Sequence, residues 1–191
     1  MSKAKPRKQT SKKKSLEARP ETLKPARIKT PKASRPHMPG YDILGPRSGS
    51  GLVPWSVAVE RLTEARNYWI ATTRPDGRPH AMPVWGVWLS DRFCFSTGQQ
   101  SRKARNLAEN PRCVVCAEPG NRTIIVEGVA ELVTDPSLLK RFGVAYQAKY
   151  DWDMEGFAEP IYIVRPEVAF AFTSDEGEFT GSATRWQFLE A

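Results

Sequence analysis

The residues best suited to chemistry are Ser101, Arg102 and Lys103, which precede the helical spacing Ala104, Leu107, Ala108. Ser101 falls where an N-cap belongs, and Pro111 marks the end of the segment. A helix start offers unpaired backbone N–H groups and a partial positive charge. Two cations there oppose the dipole by roughly a few tenths of a kcal/mol unless an anion sits among them. The pattern reads either as a solvated basic helix face or as a phosphate cradle.

Other chemistries are poorly supplied. His37 and His80 are the only histidines, too few for a histidine-rich metal site. A Ser-His-Asp set would need His80 as its base, and no G-x-S-x-G elbow holds a nucleophile. Cys113 and Cys116 have C-x-x-C spacing, yet positions i and i+3 of a strand point to opposite faces, so both are expected to be small buried hydrophobes. Three cysteines, an odd count, fit free thiols in a reducing compartment. Glycine-rich dinucleotide and P-loop fingerprints are missing. What remains suits a cofactor that carries its own chemistry while the protein binds and orients it.

The elements that must position these residues follow from pattern. Asn67 to Thr73 is a β-branched and aromatic strand, and Arg74-Pro75-Asp76-Gly77 turns it back. The return strand runs from about Arg78 to Trp88, and after Ser90-Asp91 a third strand, Arg92 to Thr97, completes a three-strand meander. Pro54 to Arg66 is a helix with Trp55, Ala58, Val59, Leu62 and Ala65 on one face. Arg112 to Glu118 and Arg122 to Val133 are strands about a turn at Pro119-Gly120-Asn121. Asp135-Pro136 opens a helix that buries Leu138, Leu139, Phe142, Ala145 and Tyr146. Tyr150 to Glu159 is acidic and aromatic, a packed surface loop or a lid. Ile161 to Arg165 and Val168 to Thr173 are the last clear strands, and Thr184 to Phe188 is a terminal strand or tail. Six or seven strands with two or three helices suggest a closed antiparallel barrel with helical covers.

The net charge of +8 over 191 residues is unevenly placed. Residues 1 to 37 hold 13 of the 29 lysines and arginines against Glu17 and Glu21, while the remainder is mildly acidic. Residues 1 to 40 are therefore expected to be a disordered basic tail, able to attract a polyanion weakly through counterion release. Residues 41 to 51, rich in Gly, Ser and Pro, read as a linker, and residues 52 to 191 as one domain. The tail lacks an apolar signal core, and no apolar run approaches a membrane span, so a cytoplasmic protein without membrane contact is expected.

The segments PDGRPHAMPVW, FSTG, SRKARNL and NPR, in this order and spacing, resemble the split-barrel flavin-binding family of the pyridoxamine 5′-phosphate oxidase type. The resemblance covers roughly Leu52 to Phe188. It implies a mainly β (α+β) fold, an antiparallel split β-barrel with two or three covering helices, and a homodimer acting on a small-molecule substrate. It implies that a cofactor's phosphate meets Ser101, Arg102 and Lys103, with Ser96 and Thr97 nearby. The rings would lie along His80, Met82, Pro83, Val84 and Trp85, with the N–H groups of Val84 and Trp85 at their polar edge and Trp85, Trp186 and Trp152 as walls. Ser96 and Thr97 could equally just finish a strand, and Trp85 could be core. FMN-dependent oxidases of the family carry Arg, Lys and Gln where this chain has Met82, Val87 and Thr123, which favours coenzyme F420 over FMN. Arg185 stands near the C-terminus without a histidine, so oxidation of pyridoxamine phosphate is not expected. The resemblance thus implies hydride transfer between F420 and an unsaturated small molecule; the alternatives are an FMN enzyme or a flavin- or polyanion-binding module without turnover.

Overall fold

The computed structural model describes residues 30–118, 122–173 and 178–188. Most of the expected basic tail and the expected turn at Pro119-Gly120-Asn121 lie outside the described residues. Among those described, the elements in chain order are β1 Lys32–Ser34, α1 Trp55–Glu64, β2 Tyr68–Thr73, β3 Pro79–Val84, β4 Gly86–Leu89, β5 Arg92–Ser96 and α2 Arg102–Glu109. They continue as β6 Arg112–Ala117, β7 Ile124–Leu132, α3 Pro136–Tyr150, β8 Ile161–Ala171, α4 Phe179–Ser182 and β9 Thr184–Gln187.

All pairings are antiparallel, in the order β1-β9-β8-β7-β6-β2-β3, with β4 and β5 joined through β5 to β8. The 11-residue β8 makes this possible. Its first part, Ile161 to Val164, pairs with β5, and its last part, Val168 to Ala171, pairs with β9. The register along β7 shifts at Glu127/Gly128, a bulge where a Cβ on Gly128 would collide with the Arg165 carbonyl. What reads as two strands around Pro166 is thus one bent strand.

The expected three-strand meander is replaced by a corner. Only Trp85 separates β3 from β4, yet β3 pairs with β2 and β4 pairs with β5. Gly86 causes the break: a side chain there would run into the Phe93 ring. The Tyr150 hydroxyl also holds Gly86, accepting from its N–H at 2.9 Å and lying 2.7 Å from its carbonyl. The covalent chain through Trp85, rather than a ladder, joins the two ends of the sheet. The barrel is split, not closed.

Strand alternation builds two cores. Phe93, Phe95, Tyr162 and Val164 face a main core with Tyr68, Ile70, Leu62 and Trp186. Cys94 and Ile163 face a second, with Val87, Phe142 and Tyr150 under α3. β1 was not expected, because its residues lie in the Lys-rich segment read as tail. It pairs with β9, and Arg35 beside it donates to the carbonyls of Ala183, Gly45 and Ser48 at 2.7, 3.2 and 3.0 Å. Part of the expected linker is therefore docked on the C-terminal segment.

Candidate functional site

Ser101 caps α2 as its position requires: the backbone is extended and the hydroxyl accepts from Ala104 N–H at 3.1 Å. Thr97 Oγ1 lies 3.1 Å from Ser101 Oγ, so the two hydroxyls support one another. The first-turn amides of Arg102 and Lys103 have no acceptor within the helix and remain available. Ala104, Asn106 and Leu107 bury the opposite side of α2.

Asn106 aligns this helix. Its Nδ2 donates to Thr72 Oγ1 at 2.9 Å, and Thr72 Oγ1 donates to the His80 carbonyl at 3.3 Å. The link sets the α2 start beside the Arg74–His80 end of the hairpin. Burial, and then the charges of Arg74, Lys103 and Arg102, hold the His80 imidazole below its ordinary value. Lys103 is half-buried and its ammonium is likewise pushed down by burial, whereas Arg102 is exposed. Among the described residues no carboxylate forms an ion pair with Arg74, Arg102 or Lys103; Asp76 is paired to Arg78 at 2.7 Å. Three buried polar atoms in this corner lack partners: His80 Nδ1, Arg74 Nε and Asn106 Oδ1. An anion would offset the charge of the three cations and find the first-turn amides free, so the residues present fit a phosphate-bearing group.

β3 ends the sheet order, and its free edge is selective. Arg74 N–H donates to the Arg78 carbonyl, which makes 74 and 78 a hydrogen-bonded pair. Alternation then gives His80, Met82 and Val84 to the ladder with β2 and turns Pro79, Ala81 and Pro83 outward. The Val84 N–H is therefore spent on Tyr68 and does not meet a cofactor, contrary to expectation. Among these three outward-facing positions only Ala81 has an N–H to offer, because Pro79 and Pro83 have none.

Met82 and Pro83 are exposed, while the Val84 side chain is core. Trp85, 39 % exposed, stacks on Tyr150 with centroids 4.7 Å apart, and the exposed Trp152 meets it edge-on at 6.4 Å. Trp186 departs from expectation. It is 1 % exposed and lies edge-on to Trp55 at 5.2 Å, so within the protomer it cannot wall a ligand. Ser96 ends β5 half-buried and donates to the Pro160 carbonyl at 2.9 Å. Cys113 faces the main core and Cys116 the opposite side of β6, and burial pushes both thiols up, Cys113 to about 12.

Sequence reasoning missed Arg74, Thr72 and Asn106. Asn106 left a trace, a polar residue beside the apolar stripe of α2; Arg74 read only as a turn residue. Val87 was read as a lost cation near the cofactor, but it packs against α3 in the second core and faces no site.

A split antiparallel sheet with a basic, serine-capped helix start beside an edge strand defines a split barrel of the flavoprotein-like shape. Residues 56–180 match the family described as pyridoxamine 5′-phosphate oxidase, and the chain belongs to that family. A pyridoxine/pyridoxamine 5′-phosphate oxidase from Acidothermus cellulolyticus is 37 % identical over 67 residues, 34 % of this chain and 30 % of that protein's length. The match thus spans less than a third of this curated relative. A conserved hypothetical protein from Mycobacterium tuberculosis superposes with a TM-score of 0.59 at 23 % identity, covering 70 % of this chain and 88 % of that one. The heme storage protein HutZ from Vibrio cholerae gives 0.52 at 18 % identity, covering 59 % and 89 %. Both share the fold.

Proposed function

We propose that the protein is an oxidoreductase that holds the anionic end of coenzyme F420 at the start of α2, with the flat rings beside β3. The observation that carries this reading is the gathering of Arg74, Arg102 and Lys103, none of them in an ion pair among the described residues, around the buried, unpartnered Nδ1 of His80. Lys103 and the first-turn amides would take phosphate oxygens, and Arg74 and Arg102 would add their charge. Met82, Pro83 and Trp85 would line the rings, with Ala81 and Trp85 as backbone donors at their edge. The bound deazaflavin supplies hydride transfer to or from an unsaturated small molecule; the protein supplies binding, orientation and exclusion of water.

F420 is preferred over FMN because Met82, exposed on β3, is apolar where the FMN oxidases that the sequence resembles carry an arginine. We also take the protein to be a homodimer. Pro83, Trp69, Cys116, Ile125 and Phe170 follow one another in register across the outer face of four neighbouring ladders, and Trp69 is 44 % exposed. Such a stripe suits a second copy. The test is titration of the purified protein with F420 and FMN in turn, read by cofactor fluorescence. Saturable quenching of F420 at lower concentration than FMN is expected; failure of both to bind removes the reading.

A further inference from the structure

Beneath the segment joining α3 to β8 lies a groove of 430 Å³. Val133, Leu139, Phe142, Met154, Phe157 and Ile161 wall it. That volume lies within the range of small-molecule sites, whose lining is mostly apolar with a few placed polar groups. Two charged side chains reach it. Glu159 is engaged elsewhere, its Oε2 accepting from Gln99 N–H at 2.8 Å. Lys140 is exposed at the rim and has no ion-pair partner among the described residues.

Gly143 lies one turn beyond Lys140 on the same helix face and also lines the groove. Glycine in a helix interior is less favourable than alanine, so its presence needs a reason. Packing gives none. A Cβ built on Gly143 would meet only the Met154 Cβ, at 3.8 Å, an ordinary contact, and its φ is not positive. The missing methyl opens space between α3 and Met154.

We propose that this groove binds a small apolar molecule carrying one negative charge, an aromatic or aliphatic carboxylate or sulfonate, with Lys140 as its counter-charge. Gly143 keeps the space clear, and Met154 and Phe157 cover the apolar body. The same segment braces the chain leading into Ser101: the Pro160 carbonyl accepts from Ser96 Oγ at 2.9 Å and Thr97 N–H at 3.4 Å. Occupancy would therefore steady the approach to α2. The groove stands or falls independently of the cofactor reading.

The test is titration of the full chain with 8-anilinonaphthalene-1-sulfonate, read by probe fluorescence, with folding of each variant checked by thermal unfolding. Wild type is expected to bind saturably, with a component that Lys103→Ala, at the separate α2 site, leaves unchanged. Gly143→Leu, which fills the groove, is expected to weaken binding by at least about tenfold. Lys140→Gln is expected to weaken it by roughly two- to fivefold, the scale of an exposed ion pair. Gly143→Ala is expected to raise the unfolding temperature while still weakening the probe, a pairing that loss of structure would not give. Absence of saturable binding to wild type overturns the proposal, as does wild-type affinity in a folded Gly143→Leu. Should Gly143→Leu fail to fold, unchanged affinity in Lys140→Gln overturns it.

Discussion

The carboxamide of Asn106, fully buried on α2, is hydrogen-bonded at 2.9 Å to the hydroxyl of Thr72 on β2. Through Thr72 it reaches the His80 carbonyl on β3, so one side chain spaces the helix start from the edge strand. Asn106→Ala is expected to cost about 1 to 3 kcal/mol in denaturant unfolding, because Thr72 loses a buried partner. Cofactor affinity is expected to fall with it.

Lys103→Ala removes a half-buried cation from the proposed phosphate site. A weakening of cofactor binding by about 1.5 to 3 kcal/mol is expected, the scale of a hydrogen bond to a charged group. Unchanged affinity in fluorescence titration would remove Lys103 from the site.

His80 gives the site a pH dependence. Its imidazole is held below the ordinary 6.5, so it is neutral at pH 7 and gains charge only as the pH falls beneath that value. The unfolded chain takes up the proton first. The stability His80 contributes is therefore complete above 6.5 and is lost as pH falls through the lower folded value. Anion binding moves the other way, since a charged His80 adds to Arg74 and Lys103. A steeper rise of cofactor affinity with falling pH in wild type than in His80→Gln is expected, the ligand's own titration being common to both proteins.

Lys149 donates to Tyr68 Oη at 2.7 Å and to the Thr63 carbonyl at 3.0 Å. Burial, followed by the charge of Arg66, lowers its ammonium from 10.5 to about 8. Between these values the unfolded chain holds more protons, so this group makes stability rise with pH. Unfolded tyrosines begin to ionise near about 10 and reverse the trend, because Tyr68 and Tyr150 are pushed up in the fold. Wild type is expected to gain unfolding temperature from about pH 8 to about 10, and Lys149→Met to lose that slope.

Trp69 stands out from the outer sheet face, its Nε1 donating to Glu118 Oε1 at 2.5 Å. Trp69→Glu places a charge in the proposed dimer contact. Sedimentation is expected to show a dimer for wild type and a monomer for the variant, with the fold retained by circular dichroism.

Features set by near neighbours in sequence were legible. The Ser101 cap, the Pro-Asp-Gly turn and the Asp135-Pro136 helix start each need only a few adjacent residues, and each forms as read. Features set by distant partners were not. β1 exists because β9 pairs with it across the fold, and nothing in Lys-Ala-Ser announces that. The corner at Trp85 depends on the Phe93 ring and the Tyr150 hydroxyl, reached through packing. Trp186 shows the same limit: an aromatic near the C-terminus suits a ligand wall and a core equally, and Trp55 decides for the core. In the site, the serine and lysine carry local helix signals, while Arg74 and Asn106 enter it only through folding.

Prolines 79 and 83 leave the outer margin of β3 nearly mute as a template. A stray strand docking there would find carbonyls to bond but only Ala81 to bond back, so copies of this chain are discouraged from pairing along β3. Strand addition at this margin is thereby disfavoured relative to contacts between sheet faces.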